Sequence, residues 1–290
     1  MSKHTPRRKT QVLGMPIDAA NTELALSWLA EDLQARKKGY VCFVSVHGLM
    51  EAYHDVRFAD CYRAASFCMP DGAPVAWVGR WQGEAVMRRV AGPEMMLAIF
   101  GDERFRNATH FLYGGEEGVA ELLRERLLER FPHAKIVGTH TPPFRDLNEE
   151  EEQELEDRMH ALKPDILWVG IGCPKQEQFM RRYRNRLDTT LMFGVGAAFD
   201  FHTGRIQDSP EWVKRAGLQW FHRLVQDPRR LWKRYLVSNT AFLWALAQDV
   251  IGIGRSAPSS KMPAEPVGPA SAKKYFSKAR PKGLSEVAKP

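Results

Sequence analysis

Apolar residues along the chain follow two rhythms in alternation. From Ala20 to Lys38 they recur at helical spacing (Leu24, Leu26, Leu29, Leu33), with Gly39 as a stop, which predicts a helix. Tyr40–Val46 is a near-continuous apolar run, the mark of a strand buried on both faces. The alternation then repeats. A helix is predicted over Glu51–Ala65, and a short strand over Ser66–Met69 that ends at Pro70-Asp71-Gly72. A helix over Glu94–Ile99 precedes a strand over Thr109–Tyr113 that ends at Gly114-Gly115, and a helix runs on through Phe131. Lys135–Thr139 reads as a strand, and Asn148–Leu162 as a helix whose acidic first turn suits its dipole. Ile166–Gly170 is a strand, Glu177–Leu187 a helix, and Thr190–Val195 a strand ending at Gly196. Strands alternating with helices predict an α/β fold with a mostly parallel sheet flanked by helices. Ligands of such sheets bind outside the carboxyl ends of the strands, where this chain places its glycines.

After Asp200 the pattern changes. Pro210–Ala247 is helical sequence crowded with tryptophan and arginine, and residues 236–253 form an apolar helix interrupted by Asn239, Gln248 and Asp249. From Ser256 onward Pro, Ala, Ser and Lys dominate, as in disordered chain. The expected organisation is a disordered basic leader (1–10), an α/β domain (11–204), a basic helical appendage (205–253) and a disordered tail (254–290).

With 290 residues, 44% of them hydrophobic, the chain can bury a sizeable core. The four cysteines (Cys42, Cys61, Cys68, Cys173) form no C-x-x-C pair, which argues against a zinc site or a disulfide scaffold and for reduced thiols in the cytoplasm. The basic N-terminus lacks the apolar run of a signal peptide, and no window reaches the roughly 18 apolar residues of a membrane span. The net charge of +7 admits nucleic acid, an anionic membrane surface or phosphorylated small molecules.

Several groups carry candidate chemistry, each beside a plainer reading. Asp71 is either a turn residue of Asp-Gly or a carboxylate placed at a strand end to act as a general base. Gly114-Gly115 and Gly170-x-Gly172 either make tight turns or let backbone approach a phosphate or sugar. No full dinucleotide fingerprint or P-loop accompanies them, which leaves a nucleotide-dependent oxidoreductase without support. Asp200 falls in an apolar run after Gly196, where it either caps a turn or meets a ligand. Arg223, Arg230 and Arg234 fall on one helical face, suited to a diphosphate or to a solvated basic surface.

Taken in order, the chain resembles the WecG/TagA/CpsF family of bacterial glycosyltransferases. The motifs are PDGAPV (70–75), RRVAGPEM (88–95), FLYGGEEGV (111–119), IVGTHTPPF (136–144), PDILWVGIGCPKQE (164–177), FGVGAAFDFHTG (193–204), PEWVKRAGLQWFHRL (210–224) and DPRRLWKRY (227–235). The resemblance implies a Rossmann-like α/β domain with a C-terminal helical, membrane-proximal appendage. It implies inverting, metal-independent transfer of a hexose or N-acetylhexosamine from a UDP-sugar to a polyprenyl-diphosphate-linked saccharide, with no cofactor. Asp71 is the implied base. Arg89, Gly92, Gly114, Gly115, Gly170, Gly172, Pro174, Lys175, Gln176, Glu177, Gly196 and Asp200 lie in the motifs implied to meet donor or acceptor. Arg223, Arg230, Lys233 and Arg234 are implied to hold the diphosphate.

The chain departs from the family in places. Where relatives carry T-x-N it has Phe43 and Ser45, with His47 two residues on, so Ser45 and His47 become the candidate sugar contacts. The family's R-A-P and G-L-E-W stand here as Asp208-Ser209-Pro210 and Gly217-Leu218-Gln219-Trp220. The expected setting is the cytoplasmic face of the bacterial membrane, touching anionic lipid and no nucleic acid, with a homo-oligomer left open. The competing class is a non-enzymatic α/β module whose basic helices dock on nucleic acid.

Overall fold

The computed structural model describes residues 6–251 apart from Ala216. A hairpin of β1 (Lys9–Val12) and β2 (Met15–Asp18) precedes a six-stranded sheet. The sheet comprises β3 (Gly39–Val44), β4 (Phe67–Pro70), β5 (Thr109–Gly114), β6 (Lys135–His140), β7 (Ile166–Gly170) and β8 (Leu191–Gly194). All of its strands are parallel, in the order β4-β3-β8-β7-β5-β6. The helices along the sheet are α1 (Thr22–Gln34), α2 (Val46–His54), α3 (Val56–Ala64), α4 (Ala73–Trp81), α5 (Gly92–Gly101), α6 (Val119–Arg130), α7 (Glu149–Leu162), α8 (Lys175–Tyr183) and α9 (Ala198–His202). Beyond it follow α10 (Glu211–Arg215), α11 (Gln219–Gln226) and α12 (Pro228–Val250).

Every residue of β3 is buried, as a strand covered on both faces requires. One core joins Leu49 of α2, Val75 of α4, Met159 of α7 and Phe179 of α8. The other joins Leu29 of α1, Met96 of α5, Leu123 of α6 and Phe199 of α9. The chain therefore leaves β3 and β7 toward one face and β8 and β5 toward the other. Neighbouring strands that send their connections to opposite faces open a crevice at their carboxyl ends, here on both sides of β8.

The predicted helix over Glu51–Ala65 is two helices. Asp55 adopts an extended backbone and its carboxylate accepts the N–H of Arg57 (2.8 Å), ending α2 and capping α3. Lys9 and Thr10, assigned above to a disordered leader, instead open β1. The anchor is Asp18, a fully buried carboxylate that accepts the Cys68 N–H at 2.7 Å and pairs with Arg7 (2.8 Å) and Lys9 (3.7 Å). Helix α4 also escapes the periodicity, because it buries Val75 and Ala76 but turns Trp77 and Trp81 outward. The predicted tail (254–290) lies outside the described residues.

The last three helices return to the sheet. Phe242 and Ala245 of α12 join the core beside α2. The turn between α10 and α11 lies on α4: a Cβ at Gly217 comes within 2.9 Å of the Ala73 Cβ, and its φ of +72 also favours glycine.

Candidate active site

Asp71 is the first residue beyond β4. Its N–H donates to the Val44 carbonyl at 3.0 Å, extending the β3–β4 ladder by one rung and fixing the carboxylate at the sheet's carboxyl edge. The Val90 N–H donates to Pro70 O at 2.8 Å and seats Arg89 alongside, with Nε 3.9 Å from Asp71 Oδ1. Burial pushes the Asp71 carboxyl up to about 6, with Arg89 and Arg223 pulling it down and Glu94 pushing it up. The side chain still keeps 28% of its surface open to the cleft. A carboxylate so placed is ionised at neutral pH and more basic than an ordinary aspartate, as a general base should be.

Arg89 is held from two directions. Its terminal nitrogens donate to the Glu94 carboxylate at 3.1–3.2 Å, and Nη2 also donates to Gln219 Oε1 at 2.6 Å. Gln219 belongs to α11, so the appendage reaches Arg89, the neighbour of Asp71, in its own chain. Lys214 of α10 adds a second tie, 3.7 Å from Glu94 and 2.6 Å from Asp208. Arg223 lies over the Phe201 ring at 5.2 Å, and its charge reaches Asp71.

The PKQE segment serves the protein interior. Gln176 is 4% exposed, and both ends of its amide are committed. Nε2 donates to Gly194 O (2.8 Å) and Glu177 Oε1 (3.0 Å), while Oε1 accepts the Gly196 N–H (2.9 Å). The amide thus staples α8 to the turn after β8. Glu177 is fully buried, so neither side chain offers the open donor-facing surface expected of it. That same turn meets α5, since a Cβ at Gly92 comes within 3.1 Å of Val195 Cα. Pro174 follows a cis peptide from Cys173, and Lys175 opens α8.

The glycines divide by role. A Cβ at Gly114 lands 2.5 Å from Gly170 O, and the Gly115 N–H donates to that same oxygen at 3.1 Å, so these residues let β5 and β7 meet. Gly170 in turn lies against the Phe199 ring, whereas Gly172 faces open space. Asp200 differs from its expected burial: 34% of its side chain is exposed, and it pairs with Arg205 at 3.4 Å. Ser45 caps α2, its hydroxyl accepting the Gly48 N–H at 3.3 Å and keeping its own proton for another acceptor. His47 turns toward α12, with Nδ1 3.4 Å from Ser238 Oγ. The side chains of Arg230, Lys233 and Arg234 lie outside the described residues.

The structure therefore gathers Asp71, Arg89 and Arg223 in one place, and adds Glu94, Lys214 and Gln219, which sequence reasoning passed over. Glu94 was within reach, because it opens the helix that follows Arg89. Gln219 stood out only as a departure from a motif, and its partner is visible only in the fold.

Comparison with known proteins adds a separate line of observation. The sequence pattern of the Glycosyl transferase WecG/TagA/CpsF family matches residues 10–255. The chain is similar to an N-acetylglucosaminyldiphosphoundecaprenol N-acetyl-beta-D-mannosaminyltransferase of Bacillus subtilis (strain 168), 28% identical over 64% of this chain and 70% of the relative. The enzyme of the same name from Bacillus spizizenii is 29% identical over the same shares. The α/β fold and the matched span converge: the chain belongs to the Glycosyl transferase WecG/TagA/CpsF family and is a glycosyltransferase.

Proposed function

We propose that the protein moves a hexose or N-acetylhexosamine, of the N-acetylmannosamine or glucose type, from a UDP-sugar to a polyprenyl-diphosphate-linked saccharide, with inversion and without a metal ion. The observation that carries this reading is Asp71, a cleft carboxylate raised to about 6, beside the Arg89 guanidinium and within reach of the Arg223 charge. Asp71 removes the proton of an acceptor hydroxyl, and that oxygen bonds to C1 of the donor sugar from the face opposite UDP. The C1–O–phosphate bond breaks and its electron pair leaves with UDP. Arg223, with the other appendage arginines, supplies positive charge where the diphosphate gains negative charge. The acceptor follows from the relatives, whose names specify a sugar on diphosphoundecaprenol. An enzyme family sets aside the non-enzymatic nucleic-acid module.

The product is a lipid-linked intermediate of an exopolysaccharide, capsule or other envelope polymer, made at the inner face of the membrane. Among the described residues no helix is long and apolar enough to cross a bilayer. The reading therefore has the protein rest on the surface, through exposed aromatic residues such as Trp212, Phe221, Trp232 and Trp244 interspersed with basic ones.

UDP release tests the reading, with a panel of UDP-sugars, a synthetic lipid diphosphate carrying N-acetylglucosamine, and EDTA present. At least one donor is expected to turn over. Asp71→Asn is expected to lower turnover by about 10³-fold while UDP still binds by calorimetry. Near-normal turnover in that variant removes Asp71 from the role of base, and silence of every donor overturns the reading.

A further inference from the structure

A cavity of about 250 Å³ opens between the N-termini of α1 and α5 and the helix α10. Thr22, Arg89, Val90, Glu94, Met95 and Lys214 wall it. Arg89 is the partition between this cavity and the base, because its Nε faces Asp71 while its terminal nitrogens turn to Glu94. The volume lies below the ~300 Å³ at which pockets begin to hold drug-sized ligands, which suits one sugar ring. The walls suit a sugar as well. Glu94 Oε2 accepts one bond from Arg89, and a carboxylate oxygen has two lone pairs, so one remains for a ring hydroxyl. Thr22 brings a hydroxyl, and Val90 and Met95 bring apolar surface for the carbon face of a pyranose.

We propose that this cavity is the acceptor-sugar subsite. The terminal monosaccharide of the lipid-linked acceptor sits between α1, α5 and α10, with the hydroxyl to be glycosylated turned past Arg89 toward Asp71. The assignment rests on the glycosyl-transfer reading above. Inversion separates the two substrates: the attacking hydroxyl and the departing UDP lie on opposite sides of the transferred carbon. The base belongs with the acceptor, and Arg89 ties the cavity to the base. Lys214 contributes a wall from the appendage, so this subsite is complete only while α10 is docked against Glu94.

Thr22→Trp tests the proposal by filling the cavity from an exposed position. Asn21 caps α1 by accepting the Leu24 N–H at 3.0 Å, so the helix start does not depend on Thr22. With a lipid diphosphate bearing one N-acetylglucosamine and the active UDP-sugar, the acceptor KM is expected to rise about tenfold while the donor KM stays within about twofold. The ratio of transfer to acceptor-free UDP release falls with it. Matched melting curves of Thr22→Trp and the unsubstituted enzyme show that the variant is folded. A rise in the donor KM, or no change in either KM, overturns the acceptor assignment and leaves glycosyl transfer standing. An unsubstituted enzyme that turns over no UDP-sugar overturns both.

Discussion

Asp71 is set by neighbours of opposite effect. Burial raises its carboxyl to about 6, while the Arg89 and Arg223 charges hold it from rising further. A general base works only when ionised, so in the proposed role of Asp71 kcat/KM is expected to be level above pH ~6 and to fall about tenfold per pH unit below it. Replacing Arg89 by methionine removes one of the lowering charges, and the acid limb of the profile is expected to move to higher pH. A pH titration of both proteins checks this, and an unmoved limb shows that Arg89 does not act on the base. The Asp-Gly dipeptide made Asp71 legible as a candidate, whereas its burial and the charges around it are visible only in the fold. Gln176 shows the opposite case. Its motif identified an important residue, whereas only the three hydrogen bonds of its amide show that it holds the turn after β8.

Among the elements, the strands were legible wherever burial on both faces left a continuous apolar run, as in β3 and β7. The β1–β2 hairpin was not, because its residues are mixed in polarity: Val12, Met15 and Ile17 enter the core, and one distant polar tie adds to them. Asp18 holds the Cys68 N–H of β4 while Arg7 and Lys9 supply its countercharge. Removing one member of a buried ion pair strands the rest. Asp18→Ala is therefore expected to cost about 3–5 kcal/mol in urea unfolding. A loss near zero shows that the apolar contacts of Val12, Met15 and Ile17 hold the hairpin without the tie. The split of the predicted 51–65 helix has a similar cause: a single carboxylate, Asp55, satisfies the first amides of α3, which no periodicity reveals.

The molecule as a whole pairs a conventional sheet with an appendage whose surface is unlike it. The parallel α/β architecture and the existence of a basic helical segment could be read from the chain, but the docking of α10 and α11 on Arg89 and Glu94 could not. Those contacts join residues about 130 apart through side chains that look unremarkable on their own helices. The exposed aromatic residues and the net positive charge predict that the full chain sediments with anionic vesicles and remains in solution with neutral ones. Raising the salt to about 0.5 M is expected to weaken the association, since surface charges are then screened within a few ångströms. Equal binding to both kinds of vesicle excludes the electrostatic part of this picture.

Strand order has a consequence for how the protein is made. Val41 of β3 is the register partner of Phe67 on one side and of Phe193 on the other. The first partner follows within a few helices, but the second is translated about 150 residues later, which at ~5–20 residues per second is on the order of ten seconds. Throughout that interval one flank of an apolar strand lacks its partner, with its peptide groups bonded only to water. Neighbouring nascent chains on the same messenger carry the same open flank, so early collisions between them favour strand-to-strand mispairing. Yield in a heterologous host should therefore respond to translation speed and to chaperone supply over that stretch more than to the stability of the finished fold.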